Sequence, residues 1–151
     1  MTLRTKSKQF DRALHDASDI PARDAVRRFY ATLGVVLHDN PDPYGIDLIT
    51  EDGKVLVEVE RRMVWDKPEF PFVEVNFLQR KVKFFTGHAE GVLVDYAIVN
   101  NDFTKVGIID RYSIVGIVID TEPEESPNRY VNDSEFFYKI PRSAFKWFDV
   151  L

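Results

Sequence analysis

The sequence contains no cysteine, which excludes disulfides, cysteine–zinc sites and thiol nucleophiles, and fits a reducing interior. Long hydrophobic runs are missing as well. Ile114–Ile119 and Gly91–Val94 are the longest, about a third or less of the roughly 20 residues that a membrane-spanning helix needs. The basic start, with Arg4, Lys6 and Lys8, leads into no apolar segment. No secretory leader is therefore expected, and the expected location is cytoplasmic, with no membrane partner. Positive charge is not in excess. With 20 Lys and Arg against 25 Asp and Glu the formal charge is −5, so contact with a polyanion requires a local basic patch. The only histidines are His15, His38 and His88, whose spacing is unlike that of a zinc site. Repeats and low-complexity tracts are absent too.

What is present is the material of an ordinary globular fold. Hydrophobic residues make up 44% and aromatics 13% of 151 residues, enough for one domain with one core. The expectation is a single domain over residues 1–151, with its core at about 19–100 and a β-rich extension at about 105–151. Ala22, Ala25, Val26, Phe29 and Leu33 recur at helical spacing, so Pro21–Leu33 is expected to be a helix capped by Asp19 and stopped by Gly34. A weaker helix is expected at Ser7–His15. The period then changes to two. Short strands are expected at Val35–His38, Gly45–Thr50 and Lys54–Arg62, the last two joined by the Asp52-Gly53 hairpin signal. Pro71–Asn76 reads as extended, Phe77–Phe85 as a helix ending at Gly87, and Val92–Val99 and Val106–Ile119 as β-rich. Asp120–Asp133 suits a surface loop, and Glu135–Ile140 a last strand. This order predicts an α/β (α+β) domain with a central mixed sheet flanked by helices.

The chemistry concentrates on one strand. Alternation along Lys54–Arg62 sends Val55, Val57, Val59 and Arg61 to one face, and Leu56, Glu58, Glu60 and Arg62 to the other. Glu58 and Glu60 thus stand about 7 Å apart in an apolar run. In the hairpin partner, Asp47 alternates with Ile46 and Leu48. If Asp47 shares the face of the two glutamates, three carboxylates converge, an arrangement that repels itself unless a cation joins it. Mg²⁺ or Mn²⁺ is the suited ion, taking oxygen ligands and leaving positions for water and phosphate. The plain alternative puts Glu58 and Glu60 on a solvated face.

The segment Gly45-Ile46-Asp47-Leu48, a turn, and Val57-Glu58-Val59-Glu60 resembles the PD-(D/E)XK nuclease superfamily, whose restriction-endonuclease-like core runs helix, three strands, helix, strand. The resemblance covers about Pro21–Val99. It implies that Asp47 and Glu58 bind the metal and that DNA is the substrate, cut by hydrolysis at a one-metal or two-metal carboxylate site. Ile46 stands where the motif has Pro, and Glu60 where it has the catalytic Lys. That second departure makes a catalytically inactive nuclease-fold protein, binding nucleic acid or a protein partner, the alternative reading.

A replacement cation can be sought by geometry. On a helix from Phe77, an apolar stripe of Phe77, Leu78, Val82, Phe84 and Phe85 includes Lys81 and leaves out Gln79, Arg80 and Lys83. Lys81 is therefore expected to face Glu58 and Glu60, with Arg62 as the competing cation and Glu60 as an additional ligand or general base. Asp19 is the candidate for an extra acid from the first helix, ahead of Asp24. Nucleic acid is expected to meet Arg80, Lys81, Lys83, Arg62 and His88, with Arg4, Lys6 and Lys8 as an arm. Trp65, Phe70 and Trp147 are candidates for stacking on bases; a closing helix or turn is the plainer role for Trp147. By analogy, a domain this small suggests a structure-directed or short-site endonuclease and leaves a homodimer open.

Overall fold

Helix α1 (Arg12–Thr32) lays one stripe, Ala22, Ala25, Val26, Phe29 and Tyr30, against a sheet and buries it almost completely. The computed structural model describes residues 12–127 and 134–151. The helix is longer than its apolar pattern predicts. It runs through Pro21, which forfeits one backbone hydrogen bond, so Asp19 is an interior helix residue and not the cap. Leu33 lies past the helix end and is exposed. Of the expected Ser7–His15 helix, residues 7–11 and the basic arm fall outside the described residues, and 12–15 belong to α1.

The main sheet has six strands in the order β1-β2-β3-β5-β6-β9. Its first three form an antiparallel meander: β1 (His38–Asp39), β2 (Leu48–Ile49) and β3 (Val55–Arg61). Strand β1 overlaps the expected Val35–His38 only at His38, and β2 is shorter than the expected Gly45–Thr50. The turn between β2 and β3 follows the Asp-Gly signal, with Gly53 at φ 72° and Thr50 N donating to Val55 O at 3.0 Å. A left-handed residue costs least as glycine. Strand β5 (Leu93–Val99) pairs with β3 in parallel, and β6 (Lys105–Asp110) and β9 (Lys146–Asp149) complete the sheet antiparallel. A second sheet holds β4 (Glu74–Leu78), β8 (Ser134–Pro141) and β7 (Glu124–Pro127) in the order β4-β8-β7.

The domain is thus mixed α/β with a central mixed sheet, as expected, and the sheet separates two cores. Toward α1 it presents Leu48, Val57, Val59, Ala97, Val99 and Val106. Its other face carries Tyr96, Ile98 and Ile109, which pack on Phe77, Phe85, Tyr138 and Ile140 from the second layer. Burying each of these larger side chains is worth about 1.5–3 kcal/mol.

Four further expectations are corrected. Val106–Ile119 is not one β-rich stretch, because β6 ends at Asp110 and helix α2 (Arg111–Asp120) follows. Asp110 caps that helix, its Oδ1 accepting from Ser113 N at 2.9 Å, which satisfies an otherwise orphaned amide. The segment Phe77–Phe85 divides into the end of β4 and a 3₁₀ helix, Gln79–Phe85. The expected loop Asp120–Asp133 contains β7, and its residues 128–133 lie outside the described ones. The closing Trp147 sits on strand β9, not on a helix or turn. No helix among the described residues is long and apolar enough to cross a membrane.

Candidate active site

The alternation of β3 places its acids in the interior. Val57 and Val59 face α1, while Glu58 points into the other layer and is only 6% exposed. The solvated-face reading therefore fails for Glu58. Asp47, just before β2, leans across to β3, where its Oδ2 accepts from Val59 N at 2.8 Å. This bond brings the Asp47 and Glu58 carboxyls within hydrogen-bonding reach of each other.

Two carboxyls so close and so buried cannot both ionise cheaply. Burial, reinforced by the charge of Asp47, pushes Glu58 up to about 8. Burial also raises Asp47, and the nearby Asp19 adds to the rise. The pair therefore holds a proton that an isolated pair would release. Apart from the proton that the pair shares, no N–H or O–H donor among the described residues reaches Glu58 Oε1, which is buried. A buried, unserved carboxylate oxygen beside a second carboxyl is the donor set a hard cation relieves.

Lys81 enters from the 3₁₀ helix. Its Nζ stands 3.0 Å from Glu60 Oε1 and 3.3 Å from Glu58 Oε2, so it faces the two glutamates as the stripe argument predicts. The expected α-helix is absent, yet the tighter 3₁₀ turn keeps the side chain directed inward and 12% exposed. Burial works against the charge of Lys81, but Glu60 and Glu58 outweigh it and hold the ammonium above its ordinary range.

Glu60 belongs to a different set of contacts. Its Oε1 also accepts from Tyr96 Oη at 2.8 Å, and its Oε2 pairs with Arg62 Nε at 3.2 Å. Arg62 Nη2 donates to Tyr96 Oη at 2.9 Å and to Asn76 O at 2.5 Å. Burial pushes Glu60 up, but Lys81 and Arg62 overcome it and leave the carboxyl below its usual range. Among the described residues no three His, Asp or Glu side chains are gathered as a ready-made metal cage. The structure brings Asp47 to Glu58, and links Glu60 to them through Lys81.

The remaining candidates separate. Asp19 lies close enough to influence Asp47 but is ion-paired to Arg23. Asp24 pairs with Arg27 on the exposed side of α1. Arg80 is largely exposed, with a long contact of 3.7 Å to Glu135, and Lys83 is exposed beside Phe84. His88 Nε2 is 2.7 Å from Phe84 O. Trp65 and Phe70 are 1% and 4% exposed, so they are core residues and do not stack on bases. They pack edge to face with each other, and Trp147 stacks on Phe70 with its Nε1 donating to Arg142 O at 3.1 Å.

Tyr96 is the site residue that sequence reasoning misses. It stands opposite Glu58 in the parallel register of β3 and β5, a pairing made by a crossover through the second sheet that no local pattern announces. No protein-family model and no curated protein matches this sequence.

Proposed function

We propose that this protein is a Mg²⁺- or Mn²⁺-dependent nuclease that hydrolyses phosphodiester bonds in DNA. The observation that carries the reading is the buried, proton-holding Asp47–Glu58 pair with the Lys81 ammonium 3.3 Å from Glu58. The element order supports it. A helix, a three-strand meander and then a strand parallel to the third follow the core order expected of the restriction-endonuclease-like fold, except that β4 and the 3₁₀ helix stand where a second helix was expected.

Asp47 and Glu58 would hold the metal, and the unserved Glu58 Oε1 fits that role. When bound, a hard divalent cation supplies Lewis acidity to the phosphate and makes a coordinated water easier to deprotonate. Lys81 points its donors at the same place and stabilises the negative charge that develops on the phosphate, or orients the attacking water. Glu60 keeps Lys81 charged and aimed. Arg62, tied to Glu60 and Tyr96, is the second cation at the edge of the site. Arg80 and Lys83, exposed on the 3₁₀ helix that carries Lys81, suit contact with flanking phosphates.

One observation favours the rival, a nuclease-fold protein without catalysis. Lys81 already pairs with both glutamates, so it meets part of the charge a metal would meet. The test is nicking of supercoiled and branched DNA with Mg²⁺ or Mn²⁺, wild type beside Glu58→Ala. Cleavage that requires metal and vanishes in the variant supports the nuclease. Failure to cleave, with Mn²⁺ binding still seen by calorimetry, supports the rival. Absence of both overturns the carboxylate site.

A further inference from the structure

The chain leaving β3 carries apolar side chains that stay outside the core. Val64 is 62% exposed, and Phe72 and Val73, just before β4, are 51% and 76% exposed. Together with Arg62, Glu74 and Asn76 these three line a groove of about 360 Å³. The buried Phe70 forms part of its wall and holds the Phe72 ring edge-on, with centroids 5.8 Å apart and planes at 72°. The groove adjoins the carboxylate site through Arg62. Its Nε pairs with Glu60, which Lys81 joins to Glu58, and its Nη2 is given to Asn76 O and Tyr96 Oη. Nη1 has no partner among the described residues. Arg62 follows Glu58 by four residues of extended chain, roughly 13 Å, within the span of a few nucleotides.

We propose that this groove receives an unpaired base of the strand that is cut, so that the substrate is single-stranded DNA or a single-stranded segment of branched DNA, a substrate class that rests on the nuclease reading of the adjoining site. Three observations select a base. The walls are apolar and include a half-exposed ring, Phe72, fixed by its packing on Phe70, and such a ring is a stacking platform for any base. The charged residues lining the groove are one of each sign, Arg62 paired with Glu60 and Glu74 standing 3.9 Å from Lys139. That balance suits the neutral part of a nucleotide better than its phosphate, which is left for Lys81 and the carboxylate pair. Arg62 Nη1 and the side-chain amide of Asn76, exposed on β4, offer donors and an acceptor to the edge of a base. A base inside a duplex has both faces covered by its neighbours and its pairing edge in use, so it enters such a groove only after leaving the stack. An unpaired base needs no such step, which makes intact duplex the poorer substrate.

The test is binding of a fluorescein-labelled oligo(dT) strand to the full chain in chelator, followed by fluorescence anisotropy, beside an abasic strand of equal length and a duplex of the same sequence. The abasic strand keeps the phosphates and omits the bases. Wild type should bind oligo(dT) about 10-fold or more tightly than either of the others. Phe72→Ala should lose that margin and Phe72→Trp, which restores a ring, should keep it, both with unchanged circular dichroism because the side chain is half exposed. With Mn²⁺, the single strand should be cut faster than the duplex, and Phe72→Ala should remove the difference. Equal affinity for oligo(dT) and the abasic strand, a duplex bound as tightly, or a Phe72→Ala protein that binds like wild type overturns the proposal. So does cleavage that requires Glu58 but treats both forms of DNA alike, an outcome that leaves the nuclease reading standing. Binding that depends on Phe72 without any cleavage supports the groove and fails the nuclease reading instead.

Discussion

Raising the pH of the metal-free protein should destabilise it, and Glu58→Gln should remove most of the loss. Glu58 titrates at about 8 in the fold against an ordinary value of 4.5. Its folded-state pKa is raised, so the native protein holds this proton more tightly than the unfolded chain does. The resulting stabilisation is complete below 4.5 and is lost as pH climbs to about 8. A difference of about 3.5 units at about 1.4 kcal/mol per unit sets a ceiling of about 5 kcal/mol on the change. Asp47 is raised as well, so it acts in the same direction. Urea denaturation in chelator between about pH 5 and 8 measures the effect. The wild-type midpoint should fall across this window, while Glu58→Gln, which cannot ionise, should show a much flatter profile and exceed wild type at the alkaline end. Mn²⁺ should restore the wild-type midpoint at the alkaline end and have little effect at the acid end, where the proton competes for the same oxygens. A wild-type midpoint that is flat or rises over the window, or a Glu58→Gln profile as steep as wild type, refutes the reasoning.

Other expectations follow from the same contacts. Lys81→Met should lower metal-dependent cleavage about 100-fold or more in kcat with little change in KM, and unchanged kcat would remove Lys81 from the chemistry. Tyr96→Phe deletes the hydroxyl that joins Glu60 to Arg62 and should cost about 1–3 kcal/mol of stability, read by thermal denaturation. A Tyr96→Phe protein as stable as wild type would show that the other contacts to Glu60 suffice. At Gly107, a Cβ would come within 2.5 Å of the Trp147 ring, so Gly107→Ala should cost about 1–3 kcal/mol by forcing β9 away from β6. A neutral result there would contradict the packing of Trp147.

Much of the architecture follows from local pattern. The stripe of α1, the turn at Gly53 and the alternation of β3 depend on neighbours in sequence, and so did the inward aim of Lys81, one of few charges inside an apolar stripe. Where local pattern misleads, a specific residue explains why. Ile114, Val115, Ile117, Val118 and Ile119 are β-branched and favour extended structure, but the Asp110–Ser113 cap starts a helix before them. Pro21 reads as a helix start, yet the packing of Ala22, Ala25 and Val26 carries the helix through it. Trp65 and Phe70 sit in a polar, proline-rich stretch that suggests exposed rings, whereas the fold closes them under Trp147. The sequence by itself determined that acids and a lysine would stand at regular positions on β3 and on the segment after β4. Only the tertiary structure decided which of them meet. The lean of Asp47 onto Val59 N joins it to Glu58, while the parallel docking of β5 brings Tyr96 to Glu60 and turns that carboxylate toward Lys81 and Arg62. The physical reason is that such contacts join segments distant in sequence, and the energy of a buried charge depends on what the whole fold places around it.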